Sequence, residues 1–168
     1  MKGIYLGAYK AKHEKYNIDY QDINGKRDKP GDMLKIDLKP YDYIIATPPC
    51  NYWSRARGNR CSKYSKETKH LLPGILKKLI KQEKPFIVEN VRNAKAFKEN
   101  GLYDLPVFIY TIGRHTYWTN ILMPNDIEQR QDFTQHCWVI KYPDMKNKDH
   151  QGGYNVQQVI EKFLEIIH

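Results

Sequence analysis

The sequence predicts an α/β domain whose central sheet is mostly parallel and carries helices on both faces. Three observations lead there. Residues 41–47 (Tyr41-Asp42-Tyr43-Ile44-Ile45-Ala46-Thr47) and 85–88 (Pro85-Phe86-Ile87-Val88) are short apolar runs rich in Ile, Val and aromatics. Such runs have the composition of strands buried on both faces. Between them, residues 65–82 set Leu71, Leu72, Ile75, Leu76, Leu79 and Ile80 at spacings of three and four, the mark of an amphipathic helix. Strand, helix, strand in this order is a βαβ unit, which crosses over right-handedly into a parallel sheet.

The remaining elements follow in order. The first 40 residues are thinly apolar. Ile4-Tyr5-Leu6-Gly7 reads as a short strand ending in glycine, and residues 8–16 as little more than two helical turns. Residues 17–22 read as a second short strand, Asn24-Gly25 as a turn, 26–31 as a loop and 32–36 as a third strand or strand end. In the long helix Ser65 is a candidate N-cap, and Pro73 either kinks the helix or marks its true start. Residues 107–110 and 116–123 are two further strands. The last segment, 155–167, places Val156, Val159, Ile160, Phe163, Leu164 and Ile167 on one helical face. Without repeats or an internal linker, residues 1–168 are expected to form one domain with its own core.

Charge speaks to partners. With 28 Lys+Arg against 19 Asp+Glu the net charge is +9, which suits a polyanion such as nucleic acid. The same excess also arises in any lysine-rich soluble chain. Cys50, Cys61 and Cys137 have neither a disulfide pattern nor zinc spacing, so no metal is expected. No apolar run is long enough to span a membrane, and no signal peptide is visible. A cytoplasmic protein with a persistent free thiol at Cys50 is the expectation.

Chemistry in open α/β sheets gathers at the carboxyl ends of the strands. The first main strand empties into Pro48-Pro49-Cys50 and the second into Glu89-Asn90-Val91. A thiol and a carboxylate are thereby delivered to one edge, the minimum for covalent attack on a ring that must be protonated as it is attacked. His13, His70 and His150 have no visible partners and are expected to be solvated, while Trp53 and Trp118 are expected to pack.

Pro48-Pro49-Cys50-Asn51-Tyr52-Trp53-Ser54-Arg55-Ala56-Arg57 resembles the catalytic loop of the DNA cytosine-5 methyltransferases, and Glu89-Asn90-Val91 resembles that family's downstream acidic motif. Asp42, at the start of the catalytic strand, stands where the family often has an acid. Arg114-His115-Thr116-Tyr117-Trp118-Thr119-Asn120 looks like the arginine segment of compact phage-type members, and Gly153-Tyr154-Asn155-Val156 like the family's closing element. The resemblance implies a Rossmann-like class I methyltransferase fold, S-adenosylmethionine as cofactor and DNA as partner. By it, the Cys50 thiolate adds to carbon 6 of cytosine, and carbon 5 then takes the methyl group. Glu89 holds ring nitrogen N3 in its protonated form, and Arg114 contacts the base or its backbone. The base is flipped out of the duplex to reach them. Ser54, Arg55, Arg57 and Arg60 belong to a loop suited to closing over phosphates. Asp19 or Asp22 holds the cofactor ribose, Asp32 the adenine amino group, and Pro48, Asn155 and Val156 complete the cofactor site. A phage-encoded chain would act in the host cytoplasm.

Two departures shape the functional reading. The family's glycine-rich loop is reduced to Gly7-Ala8-Tyr9, so the sheet is expected to be truncated at its N-terminal side. Residues 121–151 are too few for a target-recognition domain. An active enzyme of this form is expected to have little sequence specificity, to borrow a partner subunit or homodimer partner, or to act on flexible or single-stranded substrate. Two alternatives stay open: a catalytically silent methyltransferase-like module that binds DNA or a methyltransferase partner, and an RNA cytosine-5 methyltransferase using the same chemistry.

Overall fold

The computed structural model describes residues 1–8, 11–23, 27–54, 63–124 and 156–168. Among them seven strands form one sheet: β1 (Gly3–Leu6), β2 (Ile18–Asp22), β3 (Lys29–Pro30), β4 (Tyr43–Ala46), β5 (Phe86–Val91), β6 (Phe108–Ile112) and β7 (His115–Thr119). Their order across the sheet is β3-β2-β1-β4-β5-β7-β6. The pairings within β1–β5 are parallel, and β7 runs antiparallel to both its neighbours, β5 and β6. The chain starts in the middle, winds outward to β3, then returns to lay β4 against the other side of β1. The order therefore reverses between β1 and β4, the position where α/β sheets open a crevice at their carboxyl edge.

Helices α1 (Lys63–Thr68), α2 (Leu71–Ile80), α3 (Ala94–Glu99) and α4 (Val156–Ile167) flank the sheet. Alternation along the central strands sorts the core into two layers. Ile4, Leu6, Ile44, Ala46, Phe86 and Val88 pack with Leu72, Ile75, Leu76 and Leu79 of α2 and Phe97 of α3. Tyr5, Tyr43, Ile45 and Ile87 face the opposite layer, covered by Val159, Ile160, Phe163 and Leu164 of α4. The central strands are thus buried on both faces, which is why they read as continuous apolar runs.

Several expectations change. The long helix is two helices, α1 and α2, broken at Lys69-His70, and Ser65 lies inside α1 rather than at a cap. Pro73 falls in the first turn of α2, where its missing N–H removes no helical bond, so it marks the start rather than a kink. No helix occupies the described residues between β1 and β2, which pass through turns instead. The third strand is the exposed pair Lys29–Pro30, upstream of residues 32–36, which form a turn in which Asp32 Oδ1 accepts from Leu34 N at 2.9 Å. Helix α3 has no counterpart in the sequence reading. Its N-cap is Asn93, whose side chain accepts from Ala96 N. His13 is buried and stacked on Tyr5, not solvated, whereas His70 is exposed and His150 lies outside the described residues. Trp53 and Trp118 are fully buried against Phe97.

Candidate active site

The register sets out the site. Leu6 pairs with both Gln21 and Ala46, and Ala46 pairs with Val88. Asp22, Gly7, Thr47 and Glu89 are the residues that immediately follow these pairs at the carboxyl edge, and Glu89 itself pairs with Tyr117. Chain segments far apart in sequence are thereby brought side by side.

Gly7 is the pivot of this edge. It has φ of +70°, and a Cβ placed on it would lie 2.6 Å from the Thr47 carbonyl oxygen, so only glycine allows β1 and the β4 loop to come this close. Thr47 N donates to Leu6 O at 2.9 Å, and Thr47 Oγ1 donates to Gly7 O at 2.9 Å. The buried Gln21 side chain accepts from Gly7 N at 2.9 Å and donates to Gly31 O, tying the ends of three strands together. Asp22 ends β2 beside this knot.

Pro48 and Cys50 lie on the loop that leaves β4. Asn90, almost wholly buried on β5, donates from Nδ2 to Pro48 O at 2.9 Å. Trp53 N and Ser54 N donate to Cys50 O at 3.0 and 2.8 Å, closing a turn behind the cysteine. Asn93 Nδ2 donates to Trp53 O at 2.7 Å, and the indole is sunk against α3. The loop is therefore fixed on both sides of Cys50, which is in no disulfide and is half-buried.

Glu89 is buried to 8 % exposure, and its Oε1 lies 2.5 Å from His115 Nδ1. Tyr5 and Tyr117 face the same carboxylate. Burial first, and then the charge of Glu89, push both phenols well above their ordinary pKa, so they stay neutral around it. His115 Nε2 is buried and has no partner among the described residues. Arg114 occupies the β6–β7 turn after Gly113, which has φ of +56°, and its carbonyl accepts from Arg92 N at 2.6 Å just past the end of β5.

The other expected residues spread more widely. Asp19 pairs with Ile4, three residues back from Asp22 along β2. It bonds to Lys2 Nζ at 3.0 Å and to the Tyr41 hydroxyl at 2.8 Å, and Lys29 lies 3.9 Å away. Burial opposes ionisation there, but these partners prevail and hold the carboxyl below its ordinary pKa. Asp32 is half-buried in the turn after Gly31, and Val156 opens α4. Arg55, Arg57, Arg60 and Asn155 lie outside the described residues. Sequence reasoning missed His115, Gln21 and Asn93 and gave Asn90 no role; of these, only the Asn93 cap leaves a local signal, an Asn opening a helix.

Residues 5–132, from within β1 through β7, match the family described as C-5 cytosine-specific DNA methylase. The chain belongs to this family. No curated protein matches it. The matched span contains Cys50, Glu89, Arg114 and His115, so the edge described above is the methylase domain's own and α4 packs on from beyond the match. Among the described residues, no helix of this chain is long and apolar enough to cross a membrane, and no His/Cys/Asp/Glu cluster is placed to hold a metal ion.

Proposed function

We propose that this chain methylates carbon 5 of a cytosine flipped from DNA, through a covalent adduct on Cys50. The observation that carries the reading is the bond from Asn90 to Pro48 O, which ties the cysteine loop to the residue next to Glu89. The Cys50 thiolate adds to carbon 6 and electron density moves onto carbon 5. Glu89 accepts a hydrogen bond from protonated N3 and so offsets the charge that builds on the ring. After methylation the proton on carbon 5 leaves, the double bond re-forms and the thiolate is expelled. Arg114, beside the end of β5, contacts the base or its flanking phosphate. The loop carrying Ser54, Arg55, Arg57 and Arg60 neutralises the DNA backbone, in keeping with the net charge of +9.

S-adenosylmethionine supplies the methyl group. Gly7 supports a site for it, since a side chain there would fill the close approach between β1 and Thr47. The ribose role falls to Asp22 rather than Asp19, because three strand residues set Asp19 roughly 10 Å back from the edge. Asp32 is the adenine contact, and Pro48, Asn155 and Val156 are assigned the remaining cofactor contacts. The fold in this reading is a class I methyltransferase fold shortened between β1 and β2.

Incubation with fluorocytosine-containing DNA and S-adenosylmethionine tests the proposal. The wild-type chain is expected to form a denaturation-resistant adduct and Cys50→Ala none. Absence of the wild-type adduct on DNA, with or without one on RNA, would reject the DNA enzyme. The silent module, favoured by the short β1–β2 connection, would then stand if the chain still bound DNA.

A further inference from the structure

We infer that His115 is a positioning residue for Glu89, a role that rests on the methyltransferase reading above. Glu89 pairs with Tyr117 across the β5–β7 ladder, and His115 is two residues before Tyr117. The two side chains are thus diagonal neighbours on one face, a separation that long side chains span. Their atoms meet at 2.5 Å, with His115 4 % and Glu89 8 % exposed. In the proposed role Glu89 acts as an acceptor toward the ring, and a carboxylate in that form only accepts, which assigns the proton of this bond to Nδ1. With Oε1 engaged, Oε2 is the oxygen left to meet the ring, and the bond fixes its direction.

Packing alone does not account for the imidazole. Its Nε2 is buried without a partner among the described residues, a penalty that an aliphatic side chain filling the same space would avoid. What histidine offers here and leucine does not is the donor to Glu89. The turn that precedes it is itself held to the sheet, through Arg92 N and Arg114 O. A carboxylate that must stabilise charge as it forms gains from being oriented beforehand, and misplacement by about 1 Å can cost on the order of 100-fold in rate.

The test is a double-mutant cycle on the full chain, read by single-turnover methyl transfer to cytosine DNA. His115→Leu is expected to lower kcat by roughly 10- to 100-fold with KM for DNA unchanged. His115→Asn, whose amide replaces the Nδ1 donor, is expected to recover most of that loss. The effect should vanish in a Glu89→Gln background, because His115 acts only through the carboxylate. In nitrogen-labelled wild-type protein the Nδ1 proton should be protected from exchange, and Glu89→Gln should remove that protection. Independent losses in the cycle, or a loss confined to KM, would overturn the role while leaving the enzyme intact. So would a His115→Leu chain that fails to fold together with a His115→Asn chain that folds and stays inactive. A wild type that transfers no methyl group would instead reject the enzymatic reading, and this role with it.

Discussion

Replacing Asn90 by alanine should loosen the Cys50 loop from β5, and the size of the effect follows from the bonds lost. The Asn90 side chain is 1 % exposed, donates to Pro48 O at 2.9 Å and accepts from Val91 N at 3.0 Å. Truncation leaves a buried carbonyl and a buried N–H without partners, each costing about 1–3 kcal/mol. Because the loop can relax toward solvent, the lower half of the combined range applies, ~2–4 kcal/mol. For a domain of this length that corresponds to a fall in Tm of roughly 6–12 °C. Asn90→Asp should be worse than alanine above the carboxylate's pKa, since it sets a charge against the Pro48 carbonyl and removes the donor. Thermal unfolding by circular dichroism gives the stability term, and the rate of adduct formation with fluorocytosine DNA gives the effect on Cys50. Alanine is expected to slow trapping at temperatures where the protein remains folded. An Asn90→Ala chain that melts within 2 °C of wild type and traps DNA at the wild-type rate would refute the reasoning.

Two other perturbations probe separate parts of the molecule. Gly7→Ala combines a left-handed φ with a clash against the Thr47 backbone; it should cost about 2–4 kcal/mol in chemical denaturation and weaken S-adenosylhomocysteine binding ~10-fold or more in calorimetric titration. Burial holds His13 below its ordinary pKa of 6.5, an effect that Glu161 at 3.7 Å only partly opposes. The unfolded chain then binds a proton that the folded chain refuses. Stability is full above pH 6.5 and falls as pH drops toward the depressed native value, by at most about 1.4 kcal/mol per pH unit for this one proton. His13→Phe should flatten the fall in Tm between pH 7 and pH 5, and an unchanged slope would count against this assignment.

The centre of the fold was legible because burial leaves a mark on composition. Strands β4 and β5 are covered on both faces and read as apolar runs, and α2 and α4 each bury one stripe with helical period. The edges were not legible. Lys29–Pro30 is a two-residue exposed strand with no apolar signal, and α3 is too short for its periodicity to show. His13 is buried by contact with Tyr5 and by α4, more than 140 positions away in the chain, as the Gln157–Lys12 bond (|i−j| = 145) illustrates. No local pattern reports such a partner. The choice between Asp19 and Asp22 likewise hangs on register: both lie on β2, and only pairing with β1 reveals which one stands at the edge. Cys50 and Glu89 were singled out by their motifs, whereas the contact of His115 with Glu89 emerges only from the antiparallel pairing of β7.

That pairing also explains why Glu89 and Cys50, the two groups assigned to the proposed chemistry, are held so differently. Strand β4 stops at Ala46, but its neighbour β5 continues to Val91 because β7 supplies partners along its far side. Glu89 therefore projects beyond the parallel sheet while still inside a hydrogen-bonded ladder, with His115 on its side chain. A group whose task is to meet developing charge is best fixed in advance. Cys50 has no ladder; its loop is secured by the side chains of Asn90 and Asn93. In the proposed mechanism Cys50 bonds to carbon 6 and later leaves it, and the loop that carries it is pinned at both sides. Changes on β7 should thus reach the chemistry through the carboxylate and changes at the two asparagines through the thiol. The register of one antiparallel strand separates these two sets of effects.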